Sequence, residues 1–506
     1  MAHDLGQGRT AGLEGDYRRW WPASSGGILA VMGAFVRLTA SDQTNLAVEA
    51  ADTPMHQAAL GVLRAGPLLD AGGRLRIEMI RRHVAARLDR VPEMRRILHR
   101  TGPLGAELWI DDPNFKIENH VLLAALPPPG GEAQALAFAE RRLETLMDRS
   151  RPLWEMWFLE GYAQDRVAIL VKLHHALADG PAMLNVIGQI FDIEPDVVTE
   201  RPSTWRPAAR PTLLELLRDN LRRSAGWLRR IASSLRHPVA VVKSAAAAYH
   251  GAIEEIRQGR GAPATSINRP IEASRRLAVD RLPLAEVKAV AHERGVKLND
   301  VFLAVVAGGL RAVLLARGEP VDGVRLRASV AVSLHRPGDA TTWGNLVGTI
   351  IVPLPMDGDD AGVRLGRIAE ASVRAKTTQR AVVNPHVMVW LARSRLARLY
   401  IRRQHFINVL TTNLPGPPVP LYFAGARLVD AIAVPPIAGN VTVSFAALSY
   451  DGNLNLSAVA DAGSWPDLDV LQEGMRASWL ELKRSPSRLQ SDGQGRAFPA
   501  LAAVRT

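Results

Sequence analysis

Apolar and polar positions alternate along this chain with two different periods, and the places where the period changes divide it. Over residues 38–195, short β-rich runs such as Val167-Ala-Ile-Leu-Val171 are interleaved with helical patterns such as residues 75–91, which predicts an α/β unit. Pro202 to Pro211 is rich in Pro and Arg and reads as a linker. Beyond it Leu214, Leu217, Leu221, Leu228, Ile231 and Leu235 recur at steps of three, four or seven, while Arg218, Arg222, Arg229 and Arg236 line another face. This is a basic amphipathic helix. Two uses fit it: attachment to an anionic lipid surface, or a bridge between domains with its apolar face buried. The α/β alternation resumes over residues 275–461. Asn299-Asp300 opens an apolar helix expected over residues 301–316, and extended runs are expected at 327–333, 349–354, 408–412 and 441–448.

The expected division is an N-terminal extension (1–37), a first domain (38–200), a basic helical linker (201–274), a second domain (275–484) and a polar, disordered tail (485–506). With 506 residues and 47 % apolar content, the chain exceeds what one hydrophobic core usually serves, which supports two domains. Two α/β halves of similar size hint at an old duplication.

Cysteine is absent, which removes disulfides, thiolate metal sites and cysteine nucleophiles from consideration. The formal charge of +12 points to a polyanionic partner: nucleic acid, an anionic membrane or a phosphorylated substrate. Aromatic residues make up only 5 % and are not interleaved with Arg or Lys as a stacking platform requires, so nucleic acid falls behind lipid and coenzyme. The apolar run from Gly26 to Val36 is about half a membrane span. It lacks the basic cluster and cleavage site of an export signal, so a cytoplasmic chain, soluble or peripheral, is expected.

The candidate chemistry lies at His174-His175-Ala-Leu-Ala-Asp179-Gly180, directly after the β-rich run 167–173 and before a helix expected over 181–190. Strand ends deliver side chains to clefts, and a histidine there can take a proton from a hydroxyl near neutral pH. That chemistry suits acyl transfer to an alcohol. Side chains alternate in direction along an extended chain, so one of the two histidines is catalytic at most. A hydrogen-bonded structural histidine is the competing reading. Asp179 is expected to be structural, as a helix cap or the partner of an Arg. Gly180 would allow the positive φ of a sharp turn, and Pro181 suits the first helical position. No metal is expected: His175 and Asp179 would be neighbours on a helix, but no third ligand presents itself. A serine elbow, a P-loop and a dinucleotide fingerprint are all missing.

The motif and its surroundings resemble the bacterial wax ester synthase/diacylglycerol acyltransferase family, whose hallmark is H-H-x-x-x-D-G. Pro54-Met55-His56 looks like its P-M-H segment, and Trp109 through Asp111-Asp112-Pro113 to His120 is similar to its W-x-x-D-P…H stretch. Pro152-Leu153-Trp154 with Gly161 matches a P-L-W…G block, and Asn299-Asp300 an N-D-V block. Gly344-Asn345 with Leu354-Pro355, Asn413-Leu-Pro415-Gly416-Pro417 and Ser449-Tyr450-Asp451-Gly452 resemble the remaining elements. Lys116 stands where the family usually carries Asp, and the segment Ser41-Asp42-Gln-Thr-Asn45 lacks the family's usual aromatic.

The resemblance implies two chloramphenicol-acetyltransferase-like α/β domains with the active site between them. It also implies transfer of a long-chain acyl group from acyl-CoA to diacylglycerol or a long-chain alcohol, with His175 as general base and no acyl-enzyme. His174, Asp179 and Gly180 would support the motif, and Asn299 and Asp300 would shape the site or hold the oxyanion. Asn299 has a competing use as a helix cap. Pro152, Leu153, Trp154 and Gly161 are candidates for the substrate channel. No cofactor is expected beyond acyl-CoA as substrate, and the expected partners include a membrane or lipid-body surface. Two other readings stay open: a condensation-type transferase using carrier-bound acyl groups, and a non-catalytic lipid-binding paralogue.

Overall fold

The N-terminal half folds into β1 (Phe35–Arg37), α1 (Ala40–Val48), β2 (His56–Arg64), α2 (Ile77–Arg87), β3 (Arg96–His99), β4 (Leu108–Asp111), β5 (Val121–Ala125), α3 (Glu132–Glu144), β6 (Trp154–Ala163), β7 (Arg166–His174) and α4 (Gly180–Ile190). After α5 (Leu213–Leu235) come β8 (Arg275–Pro283), α6 (Leu284–Glu293), α7 (Leu298–Ala316), β9 (Arg325–Ser333), β10 (Val347–Pro355), α8 (Ala361–Thr378), β11 (Val409–Leu414), β12 (Tyr422–Phe423), β13 (Ala426–Val434), β14 (Val443–Tyr450), β15 (Asn453–Asp461) and α9 (Leu468–Arg484). The structure is a computed structural model and describes residues 35–101, 107–195, 203–235, 261–333, 347–378 and 402–484. Most of the first 37 residues, Gly344-Asn345 and the tail beyond 484 lie outside these.

Strand β7 is buried at every position after Arg166, as a continuous apolar run becomes when it is flanked by strands and covered on both faces. It lies inside a six-stranded sheet of order β12-β13-β2-β7-β6-β5. Two of those strands come from the C-terminal half: β13 pairs antiparallel with β2, bringing Ile432 opposite Leu60 and Val434 opposite Ala58. Phe423 and Leu428 therefore complete a core with Leu63, Val84, Phe158 and Ile169. The division of the chain at residue 275 is thus not a division of the sheets, because a strand pair from beyond the boundary closes the first one. The other large sheet, of order β10-β9-β11-β14-β15-β8, is built wholly from the C-terminal half. A three-stranded sheet, β1-β4-β3, completes the layers, so residues 35–37 of the expected extension belong to the fold.

Helix α7 is long and apolar enough to cross a membrane by composition, but 72 % of its apolar window is buried; it is the core helix of the C-terminal unit. It begins at Leu298 rather than Val301. The cap position is Lys297, whose N–H donates to the Asp300 carboxylate in the first turn, and Asn299 sits inside that turn.

Helix α5 does not bury its leucine stripe. Leu213, Leu214, Leu217 and Leu221 are exposed, at 64, 56, 44 and 69 %, and Arg218, Arg222, Arg223 and Arg229 are exposed with them. The anchor is Leu216, which is buried, together with Asp219 and Asn220, each accepting from Arg37 of β1 at 2.5 Å. The side chains of Leu228, Ile231, Leu235 and Arg236 lie outside the described residues. A bridge with a buried apolar face is therefore not what the described part of this helix forms. The Pro/Arg-rich linker before it is strapped down: Trp205 stacks under the Arg95 guanidinium, 4.8 Å from the ring centre, and the Ala208 N–H donates to Asp111.

Candidate active site

Register places the two histidine motifs side by side. His56 opens β2 directly opposite His174, the last residue of β7, and their rings lie 5.8 Å apart. The chain then turns: the His175 N–H donates to the Met55 carbonyl at 2.8 Å, and the Gln57 amide donates to the Ala178 carbonyl at 2.5 Å. The Pro54-Met55-His56-Gln57 segment is in this way a rail on which the His174–Ala178 turn is fixed.

His174 is fully buried. Its Nδ1 accepts from the Ala176 N–H at 2.9 Å, which leaves the ring proton on Nε2. That nitrogen lies 3.0 Å from Glu49 Oε1. Glu49, at the end of α1, is itself buried and gathers three more contacts: His56 Nε2 at 3.4 Å, the Met55 N–H at 3.3 Å and the Arg149 guanidinium at 2.7 Å. Burial would raise the Glu49 carboxyl, but His174, His56 and Arg149 together outweigh it and hold the carboxyl well below the usual carboxylate range. Glu49 is an anion at neutral pH. Its two neighbouring rings and one guanidinium form a fixed platform beneath the turn.

His175 keeps partial exposure. Burial holds its imidazole down at about 4, with His174 adding to the effect and a bond from the ring to the residue's own carbonyl opposing it. The ring is therefore neutral at pH 7, which is the state a general base requires. The Asn45 amide reaches it from α1: Nδ2 lies 3.2 Å from the His175 carbonyl and 3.1 Å from Nδ1.

Asp179 is the N-cap of α4, its carboxylate accepting from the Ala182 N–H at 2.8 Å. Gly180 does not adopt positive φ, contrary to the expectation from the sequence; it is the first helical residue, and Pro181 takes the second position. Its constraint is space. A Cβ at Gly180 would stand 3.1 Å from the Leu414 side chain, so the absence of a side chain lets β11 of the second sheet approach the motif. The histidine turn accordingly lies where the two sheets meet.

The Pro152-Leu153-Trp154 block borders the turn. The His174 N–H donates to the Leu153 carbonyl at 3.0 Å, and Leu153 packs with Leu38, Leu46, Trp109, Met147 and Ala176 in a small apolar cluster under the motif. Trp154 is fully buried, donates to the Met94 carbonyl and stacks on His120 at 4.6 Å. These side chains support the turn from the protein side. Gly161 does not belong with them: it lies seven residues further along β6, roughly 23 Å at the rise of a strand. There a positive φ of 82° makes a bulge. Asn299 and Asp300 start a helix of the C-terminal core, and no described hydrogen bond or ion pair joins either to the histidine turn.

The C-terminal motifs hold β11 in place. The Gly416 N–H donates to the Ser449 hydroxyl, and the buried Tyr450 hydroxyl accepts from the Leu421 N–H while donating to the Leu428 carbonyl, both at 2.9 Å. Asp451-Gly452, both at positive φ, make the tight turn between β14 and β15.

Residues 38–302 match the wax ester synthase/diacylglycerol acyltransferase catalytic domain, and residues 343–483 match the C-terminal domain that goes with it. The chain belongs to this family. A probable diacylglycerol O-acyltransferase of Mycobacterium tuberculosis is 34 % identical over 383 residues, spanning 74 % of this chain and 80 % of its own. Among solved structures, the wax ester synthase/diacylglycerol acyltransferase of Marinobacter aquaeolei has a TM-score of 0.62 at 24 % identity, covering 88 % of this chain and 99 % of that one. The starter condensation domain of rhizomide synthetase follows at 0.56 and 14 %, covering 91 and 96 %. The two structural likenesses bear on the fold alone: two α/β units of the chloramphenicol-acetyltransferase type. The family is one of acyltransferases, and its hallmark motif is the turn described above. Asn45, Glu49, Gln57 and Arg149 are the residues around that turn which sequence reasoning did not single out as part of the site.

Proposed function

We propose that this protein transfers a long-chain fatty acyl group from acyl-CoA to the hydroxyl of diacylglycerol or of a long-chain alcohol, with His175 as general base. The supporting observation is the state of His175: a neutral imidazole, partly exposed, on a turn braced from both sides at the junction of two sheets. Nε2 takes the hydroxyl proton as the alkoxide oxygen attacks the thioester carbonyl. The tetrahedral oxyanion then collapses, breaking the C–S bond, and the departing thiolate takes the proton back from the imidazolium. Ester and free coenzyme A leave, and the enzyme ends as it began. Purified protein with labelled palmitoyl-CoA and either dioleoylglycerol or hexadecanol tests this directly. Transfer only from a carrier-bound acyl group would move the reading to condensation-type chemistry, and transfer from neither donor would make the chain a lipid-binding paralogue.

The pH dependence follows from the depressed His175. The base works in its neutral form, so kcat/KM should stay flat downward from neutrality and fall only as pH drops through about 4. An acid limb near 6.5 in the pH profile would contradict the assignment of the base to this ring.

We also place the protein on the cytoplasmic face of a membrane or on lipid bodies, resting on α5. Leu214, Leu217 and Leu221 with Arg218, Arg222 and Arg223 combine exposed apolar side chains with cations on one helix, the composition that lies in an anionic interface. Co-sedimentation with vesicles of anionic phospholipid should fall roughly tenfold or more when Leu217 and Leu221 are both changed to Asp, since each Leu contributes up to about 1.5–3 kcal/mol when fully buried. Unchanged sedimentation would remove α5 from the contact.

A further inference from the structure

Helix α1 is set by its own cap: the Thr39 hydroxyl accepts from the Asp42 N–H and the Asp42 carboxylate from the Thr39 N–H, the reciprocal pair of a capping box. That fixes the helix's phase. Asn45 and Glu49, four residues apart, then fall on one side of the helix, and each meets one of the paired histidines. Glu49 meets His174 at 3.0 Å; Asn45 meets His175.

The orientation of the Asn45 amide follows from what it faces. Its Nδ2 is 3.2 Å from the His175 carbonyl oxygen, and only a donor is stable against a carbonyl, so the amide oxygen cannot occupy that place. His175 Nδ1 lies 3.1 Å from the same amide nitrogen, and a base that accepts at Nε2 carries its own proton on Nδ1. With the proton kept on Nδ1, the proton-accepting lone pair lies on Nε2.

We propose that Asn45 is a positioning residue for the base: it clamps the His175 carbonyl and, through it, the ring tautomer and rotamer in which Nε2 accepts the proton. The proposal rests on the reading of His175 as base. It also gives a use to the segment Ser41–Asn45, whose lack of an aromatic was the departure noted in the sequence; the polar residue at its end reaches the His175 ring, 130 positions away. Glu49 makes the clamp stiff. Because it ties the end of the same helix to His174, His56 and Arg149, α1 cannot slide without breaking a buried ion pair.

The test uses Asn45→Ala and Asn45→Asp beside His175→Ala, in the full-length chain, with kcat, KM for acyl-CoA, pH profile and thermal midpoint measured for each. Asn45→Ala should lower kcat roughly 10- to 100-fold with KM little changed, since a misplaced catalytic group loses rate rather than binding. Asn45→Asp puts a carboxylate beside Nδ1, favours the imidazolium and should move the acid limb of kcat/KM upward by roughly 1–3 pH units. A merely structural asparagine would lower the thermal midpoint and leave that limb in place. If the limb of Asn45→Asp and the kcat of Asn45→Ala both match the wild type while His175→Ala is inactive, the positioning role is wrong and the base stands. If His175→Ala itself turns over normally, it is the base assignment that fails.

Discussion

His175→Ala should lower kcat by roughly 10²–10⁴-fold, the usual worth of a positioned general base, while leaving KM for acyl-CoA and the thermal midpoint nearly unchanged. The loss is chemical rather than structural for a reason visible in the fold. What anchors the turn is the His175 N–H on the Met55 carbonyl and the Gln57 amide on the Ala178 carbonyl, both backbone contacts of the turn that alanine retains. The residual rate would come from holding both substrates in register and from stabilising the oxyanion. Transfer of label from palmitoyl-CoA to dioleoylglycerol by purified protein reads it, and a variant within threefold of wild type would remove His175 from the reaction.

Glu49→Ala should be the most damaging single change near the site that touches no substrate. The Glu49 carboxylate is 4 % exposed, and its removal leaves Arg149 without its counter-charge and the His174 Nε2–H without its acceptor. Breaking a buried ion pair from one side costs roughly 3–5 kcal/mol; Arg149, about one-third exposed, regains some water, so the lower end is expected. Urea unfolding would show it as an earlier midpoint. Glu49→Gln keeps the shape and separates charge from volume. Since the Glu49 carboxyl lies below its ordinary 4.5 in the folded chain, it contributes stability that is fully present above that value and is lost as pH falls below it. The wild type should therefore lose its advantage over Glu49→Gln progressively as the pH is taken down from 4.5. An advantage that persists unchanged at pH 3 would show that Glu49 works through packing alone.

These expectations depend on contacts of very unequal visibility. The strand at 167–173, the helix after Pro181 and the chemistry of a histidine between them could be read from local pattern, because a continuous apolar run, a Pro and an Asp each constrain their own neighbourhood. Asp179 as a helix cap is of the same kind: its partner, the Ala182 N–H, is three residues away. Asn299 does not cap the helix because the helix starts three residues earlier than expected, at Leu298, with Lys297 as the cap position and the Asp300 carboxylate accepting from its N–H. Gly180 misled because glycine has two uses. Sequence shows only that a side chain is missing, and here the reason was the approach of Leu414 rather than φ. The stripe on α5 has the period of a buried face, but period says only that a helix has two sides.

What the sequence determined by itself was the class of the fold and the type of chemistry. The alternation of strands and helices, the lack of cysteine and the H-H-x-x-x-D-G turn among its ordered companions set those, because each is a property of neighbouring residues. Tertiary structure alone decided how the site is held. Asn45, Glu49, Arg149 and Leu414 carry no local signal of their role; they act on the histidine turn across gaps of many residues, and in Leu414's case from the other sheet. The crossing of β13 to β2 was equally hidden. Which strand closes a sheet is settled by which apolar faces can be buried together, and that is a property of the whole chain at once.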